Sequence, residues 1–147
     1  MSFFGSLDTS ASGLTAQRLR LDVISQNMAN ASTTRTQEGG PYKRKSVVFE
    51  QVQNQTSTSF SSILNQKKQS ENNGVRVVEI IEDESQGALV YNPSHPDANE
   101  EGYVQMPNVN TIDEMVNMIS ASRSYEANLN SFNSMKAMFT KALEIGK

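Results

Sequence analysis

Four groupings of side chains would do chemistry if they converged. His95, Asp97, Glu100 and Glu101 are metal-ligand types, but they sit in a Pro-punctuated stretch with the chain's single His. No helical i, i+4 ligand pair is present there to fix coordination geometry. Tyr42-Lys43-Arg44-Lys45 carries the charge to meet phosphate and one aromatic to stack on a base, a short signal for nucleic acid. Glu82, Asp83 and Glu84 are adjacent rather than convergent, whereas general acid–base catalysis needs groups gathered in a pocket that excludes water. Met115, Met118, Met135 and Met138 recur at helical spacing, which reads as packing. A Gly-rich phosphate loop and a serine nucleophile elbow are both missing.

The totals narrow the field further. The chain has 147 residues, no Cys, no Trp and a net charge of −3. Without Cys there is no disulfide framework, thiol nucleophile or thiolate metal site. The acidic balance argues against nucleic acid as a partner. No apolar run reaches the roughly 18–20 residues that span a bilayer, so direct membrane insertion is not expected. The first twenty residues hold no apolar core of a secretory signal peptide. The expectation is a chain with no catalytic site, no metal and no cofactor.

The elements that would position these residues fall into three parts: an N-terminal helix within residues 1–34, a small β or extended middle over 35–110, and a C-terminal helix over 111–147. At the N-terminal end Phe3, Leu7, Ser10, Leu14, Gln17, Leu21, Ile24 and Met28 follow a 3-4 spacing, and six of these eight are apolar. That is the narrow stripe of a helix–helix seam. Gly13, inside it, is expected to mark the close approach of another backbone. The helix should fade near Asn30, before Gly39-Gly40-Pro41. At the other end Met115, Met118, Ser122, Tyr125, Leu129, Phe132, Lys136, Phe139 and Leu143 repeat the spacing, with seven of nine apolar. Thr111-Ile112-Asp113-Glu114 reads as a capping box for this helix. Lys141 suits its C-terminal dipole, and Gly146 its stop.

Between the helices, residues 46–52 and 75–81 are rich in β-branched side chains and predict two strands, with 88–91 as a third. Residues 53–74 contain 15 Ser, Thr, Asn or Gln among 22, which predicts a flexible loop. Residues 92–110 predict extended chain. The two seams suit an antiparallel coiled-coil hairpin, so the fold class is mainly α with a small β middle. Phe4, Val23, Ile112, Val116, Ile119, Met138 and Ile145 lie off the seams and call for cover from further copies or partners. Charge is uneven: residues 35–76 carry +4 and residues 77–122 carry −9. Opposite patches on neighbouring copies could therefore face each other.

Asn27-Met28-Ala29-Asn30, then Thr34, then Gly40-Pro41-Tyr42-Lys43-Arg44-Lys45-Ser46-Val47-Val48-Phe49, resembles the N-terminal signature of bacterial flagellar axial proteins of the rod and hook. Gly102-Tyr103-Val104-Gln105-Met106-Pro107-Asn108-Val109-Asn110 and the stretch from Glu114 to Asn128 are similar to the short proximal-rod members. The resemblance runs the full length except for the polar stretch 53–74. It implies a structural subunit of the basal-body rod without a catalytic site. Such a subunit is exported by the flagellar export apparatus without a cleaved signal peptide. It assembles in the periplasm with copies of itself and other rod proteins into a helical tube. The tube transmits torque from motor to hook, and export substrates pass through it. Two rivals share parts of the pattern. A secreted helical-hairpin adaptor or export chaperone needs the heptads but not the signature of residues 30–49. A small β-domain enzyme would need a convergent polar pocket within residues 40–110.

Overall fold

The computed structural model describes residues 3–37, 39–52 and 74–145. Residues 53–73 of the predicted 53–74 loop, the Gly146 stop and the Phe3 side chain lie outside the described residues. The order of elements is α1 (Phe3–Ala29), β1 (Lys45–Gln51), β2 (Val75–Glu82), β3 (Leu89–Tyr91), β4 (Tyr103–Gln105) and α2 (Thr111–Ile145).

The two helices run antiparallel. Phe4 meets Phe139 edge-to-face at 6.3 Å, Gly13 lies against Asn128, and Asn27 bonds Glu114, so positions rise along α1 as they fall along α2. A Cβ on Gly13 would stand 3.0 Å from Asn128 Nδ2. The close approach, expected from another backbone, is therefore made by a side chain instead.

The line that α2 packs inward differs from the predicted seam on every second rung. Glu114 and Ala121 are buried, and Met118, Tyr125, Asn128, Phe132 and Met135 are half-buried. Met118, Tyr125 and Phe132 belong to both lines. On the alternate rungs the chain turns inward Glu114, Ala121 and Asn128. The seam positions Met115 and Leu129 stay 52% and 39% exposed, and Phe139 and Leu143 are exposed as well. On α1 the buried residues are Gly13, Ala16, Val23, Ile24 and Asn27, with Leu7, Leu14, Leu21 and Met28 half-buried. Val23, expected to need an outside partner, is buried within the chain. Small residues set this geometry: Ala16, Gly13 and Ala121 let the helices come close. Such residues carry little periodic hydrophobic signal.

β1 and β2 form an antiparallel ribbon from Lys45↔Glu82 to Gln51↔Val75. Val48 opposes Glu79 and Phe49 opposes Val77, which leaves Val78 as an extra residue, a β-bulge. Side chains alternate faces with period two, so the bulge keeps Val47, Phe49, Val75, Val77 and Ile80 on one face. Of these, Val47, Phe49, Val75 and Val77 are half-buried, and the ribbon packs on α1. The third strand pairs with β4, which falls in the stretch expected to be merely extended; Val90 opposes Val104. Three residues between Gly102 and Met106 give no alternation long enough to read. Gly102 makes the turn at φ +84°, where a Cβ would crowd the Tyr91 ring.

The predicted capping box is not formed. Asn110 caps α2 instead: its Oδ1 accepts from the Ile112 N–H at 3.0 Å. Glu114 is drawn away into the contact described next. Lys141 pairs with Glu144 at 2.7 Å.

Candidate functional site

The end of α1, the start of β1 and the first turn of α2 meet at Asn27 and Glu114, both 0% exposed. Asn27 reaches here because it lies one turn beyond Val23 and Ile24 on the buried face of α1. Its amide uses all four hydrogen-bonding positions. Nδ2 donates to the Lys45 carbonyl at 2.8 Å and to Glu114 Oε2 at 2.9 Å. Oδ1 accepts from the Lys45 N–H at 2.9 Å and from the Tyr42 hydroxyl at 3.0 Å. The side chain thus pairs with both backbone groups of Lys45, as a neighbouring strand would, and fastens β1 to α1.

Glu114 holds the other half. Its Oε1 accepts from Arg44 Nε at 2.9 Å and lies 2.8 Å from Arg44 Nη2. A carboxylate this deep is tolerated because both oxygens are met by charge-assisted or amide donors. Burial pushes the Tyr42 phenol above its ordinary 10.0; Lys45 opposes that shift, and Glu82 and Glu114 add to it.

Asn108 extends the cluster. Its Oδ1 accepts from the Arg44 N–H at 2.7 Å, and its Nδ2 donates to the carbonyls of Asp83 and Ser85 at 2.9 and 3.0 Å. Asp83 N–H in turn donates to the Arg44 carbonyl at 2.8 Å. The backbone N–H and hydroxyl of Ser85 hold the Asp83 carboxyl below its usual range. A second clip lies nearby: Thr34 donates to Asp97 Oδ2 at 2.8 Å, and Arg35 lies 3.7 Å from Asp97 Oδ1. The backbone N–H of Asp97 donates to His95 Nδ1 at 3.1 Å. The loop of His95 and Asp97 is thus tied to the chain that leaves α1.

Of the residues singled out in the sequence, Asn27, Tyr42, Arg44 and Asn108 come together here. Asn30 ends α1, bonding Gln26 O through Nδ2 at 2.9 Å and accepting from the Thr33 hydroxyl at 3.2 Å. Ala29 and Lys43 are exposed, Tyr103 stacks edge-on with Tyr91 at 5.3 Å, and Pro107 is buried. The sequence reads Asp97 only as a metal-ligand type and Glu114 only as part of a cap; a carboxylate 87 positions from its Asn27 partner leaves no local signal of that contact. The basic and acidic segments face each other inside one chain, with Lys45 3.2 Å from Glu82. Among the described residues no three His, Asp or Glu gather to hold a metal ion, and no helix is long and apolar enough to cross a membrane.

The fold is a helical hairpin with a small β middle, closed by a polar cluster that joins side chains of α1 and α2 to each other and to the backbone at the start of β1. Two family models match the chain: Flagella basal body rod protein over residues 7–37, and Flagellar basal body rod FlgEFG protein C-terminal over residues 100–145. The chain is 51% identical to flagellar basal-body rod protein FlgC of Bacillus subtilis (strain 168), across 100% of both chains. It is 48% identical to FlgC of Borreliella burgdorferi, across 99% of this chain and 98% of the relative. With FlgC of Escherichia coli O157:H7 it shares 40%, across 100% of both. The chain belongs to the flagellar basal-body rod protein family.

Proposed function

We propose that this chain is a structural, non-enzymatic subunit of the proximal flagellar rod, at the flagellar basal body in the periplasm. It packs with copies of itself and with other rod proteins into a helical tube that carries torque to the hook and lets export substrates through. It reaches the rod through the flagellar export apparatus without a cleaved signal peptide. One observation carries the assembly reading: the alternate apolar line of α2, with Met115, Leu129, Phe139 and Leu143, is exposed in the single chain. Ile112, Val116 and Ile119 widen that surface at the start of the helix. Exposed apolar area of this extent marks a contact surface. In this reading the exposed seam residues of α2 act between subunits, while the polar cluster shapes each subunit.

The test is a deletion of the gene followed by imaging of basal bodies. The expected result is basal bodies without a completed rod, and cells that do not swim. The parent gene restores both. Met115→Asp is exported and restores neither, because it puts a charge into a dry contact. Complete rods in the deletion strain would overturn the reading.

A further inference from the structure

α2 carries two lines that would each pack against α1. They share Met118, Tyr125 and Phe132 and differ on the rungs between. One line uses Glu114, Ala121, Asn128 and Met135; the other uses Met115, Ser122, Leu129 and Lys136. At about 100° per residue the two lines lie roughly 50° apart around the helix. The inward rungs include a carboxylate and an amide, and the outward rungs include Met115 and Leu129. Hydrophobic burial by itself favours neither arrangement strongly enough to explain why a glutamate is turned in.

The partners of Glu114 explain it. Arg44 Nε and Nη2 and Asn27 Nδ2 all converge on its two oxygens, and they are fixed in turn by β1, Tyr42 and Asn108. These donors are met only when α2 presents Glu114, not Met115, to α1. Buried polar groups select one register among near-equal packings in other helix pairs, and helix packings with two discrete arrangements are bistable. We infer that the Asn27–Arg44–Glu114 cluster is an orientation lock. It holds α2 with Met115 and Leu129 outward, and without it α2 rolls to bury them against α1. The lock rests on the assembly reading only for its purpose; the orientation itself is a property of the single chain. A rolled chain would hide the surface that the proposed rod contact uses, so the cluster sets whether a subunit is competent to assemble.

The chain has no Cys, so introduced pairs report orientation cleanly. A Cβ at position 13 would lie 3.2 Å from Asn128 Cγ, within reach of the roughly 3.5–4.5 Å Cβ separation that a disulfide needs. The full-length chain is made with Gly13→Cys and Asn128→Cys, or with Gly13→Cys and Leu129→Cys, and oxidised in dilute solution. Disulfide yield is read by mass, and helix content by circular dichroism. In the otherwise unchanged chain the 13–128 pair is expected to form about tenfold more than 13–129, the measure of a dominant orientation. Adding Glu114→Leu should reverse that preference with helix content kept, whereas Glu114→Gln, whose single acceptor oxygen can meet Asn27 or Arg44 but not both, should weaken it without reversing it. An unchanged 13–128 preference in the Glu114→Leu chain would overturn the lock. So would equal yields of the two pairs in the parent, or loss of helix in Glu114→Leu with both pairs equal. Neither readout depends on rod assembly, so the lock and the proposed function can fail separately.

Discussion

Where α1 ends and α2 begins, Asn27 and Glu114 are wholly buried and each of their polar atoms has a partner. Where α1 begins and α2 ends, Phe4 is 66% exposed and Ile145 86% exposed, although Phe4 and Phe139 meet edge-on. One end is closed by specific bonds among three elements. The other carries an edge-on aromatic contact beside exposed apolar side chains. A satisfied polar cluster defines a geometry without needing a second molecule, while an exposed apolar end gains most when something covers it. The closed end therefore belongs to the fold of the subunit, and in the proposed rod the open end is the one that serves its contacts.

The sharpest way to break that contrast is Arg44→Met. It leaves the Glu114 carboxylate buried with its charge uncompensated, and it should cost about 3 kcal/mol of subunit stability, read as a lower midpoint of urea unfolding. A midpoint unchanged from the parent would mean that the closed end is no stronger than the open one. Asn108→Ala removes the acceptor of the Arg44 N–H and the donor that spans Asp83 and Ser85; a loss of about 1 kcal/mol is expected in the same measurement. At the open end Phe4→Ala should lower subunit stability by only about 0.5–1 kcal/mol, yet it should impair motility in a complementation assay more than Asn108→Ala does. Equal motility of the two strains would erase the division between fold and contact.

The smallest effect concerns pH. The Tyr42 phenol titrates above its ordinary 10.0 in the folded chain. A raised folded value stabilises the protein fully below the unfolded value, and that contribution is lost as pH rises through the folded one. Thermal melts should therefore fall off above about pH 10, and Tyr42→Phe should flatten that alkaline limb. An identical limb in both proteins would show that Tyr42 lies outside the cluster in solution.

Both helices and three of the four described strands were legible because their signals are local: 3-4 spacing in the helices, β-branched runs in β1 and β2, and the short apolar run of β3. The motif residues Asn27, Tyr42, Arg44 and Asn108 were also visible, but only as a resemblance, with no hint that they touch. β4 escaped because three residues cannot show an alternation. Glu114 was assigned to a cap because Thr111 sits three positions before it, a pattern that is usually sufficient. Asn110 holds the cap, and Arg44 and Asn27 claim the carboxylate. The a/d line on α2 was drawn through its larger apolar residues, and packing chose the neighbouring line.

The sequence by itself determined the two long helices, their antiparallel pairing and the mainly helical class, because backbone preference and hydrophobic period act over a few residues at a time. It also determined that Cys chemistry is impossible. Tertiary structure alone decided which side of α2 turns inward, since the two lines differ little in apolar content and the choice depends on donors brought from β1 and α1. It likewise decided that Lys45 meets Glu82 within one chain and that a glutamate is fully buried. Those outcomes depend on distances between segments far apart in the chain, which close only when the helices pair and the ribbon docks on α1.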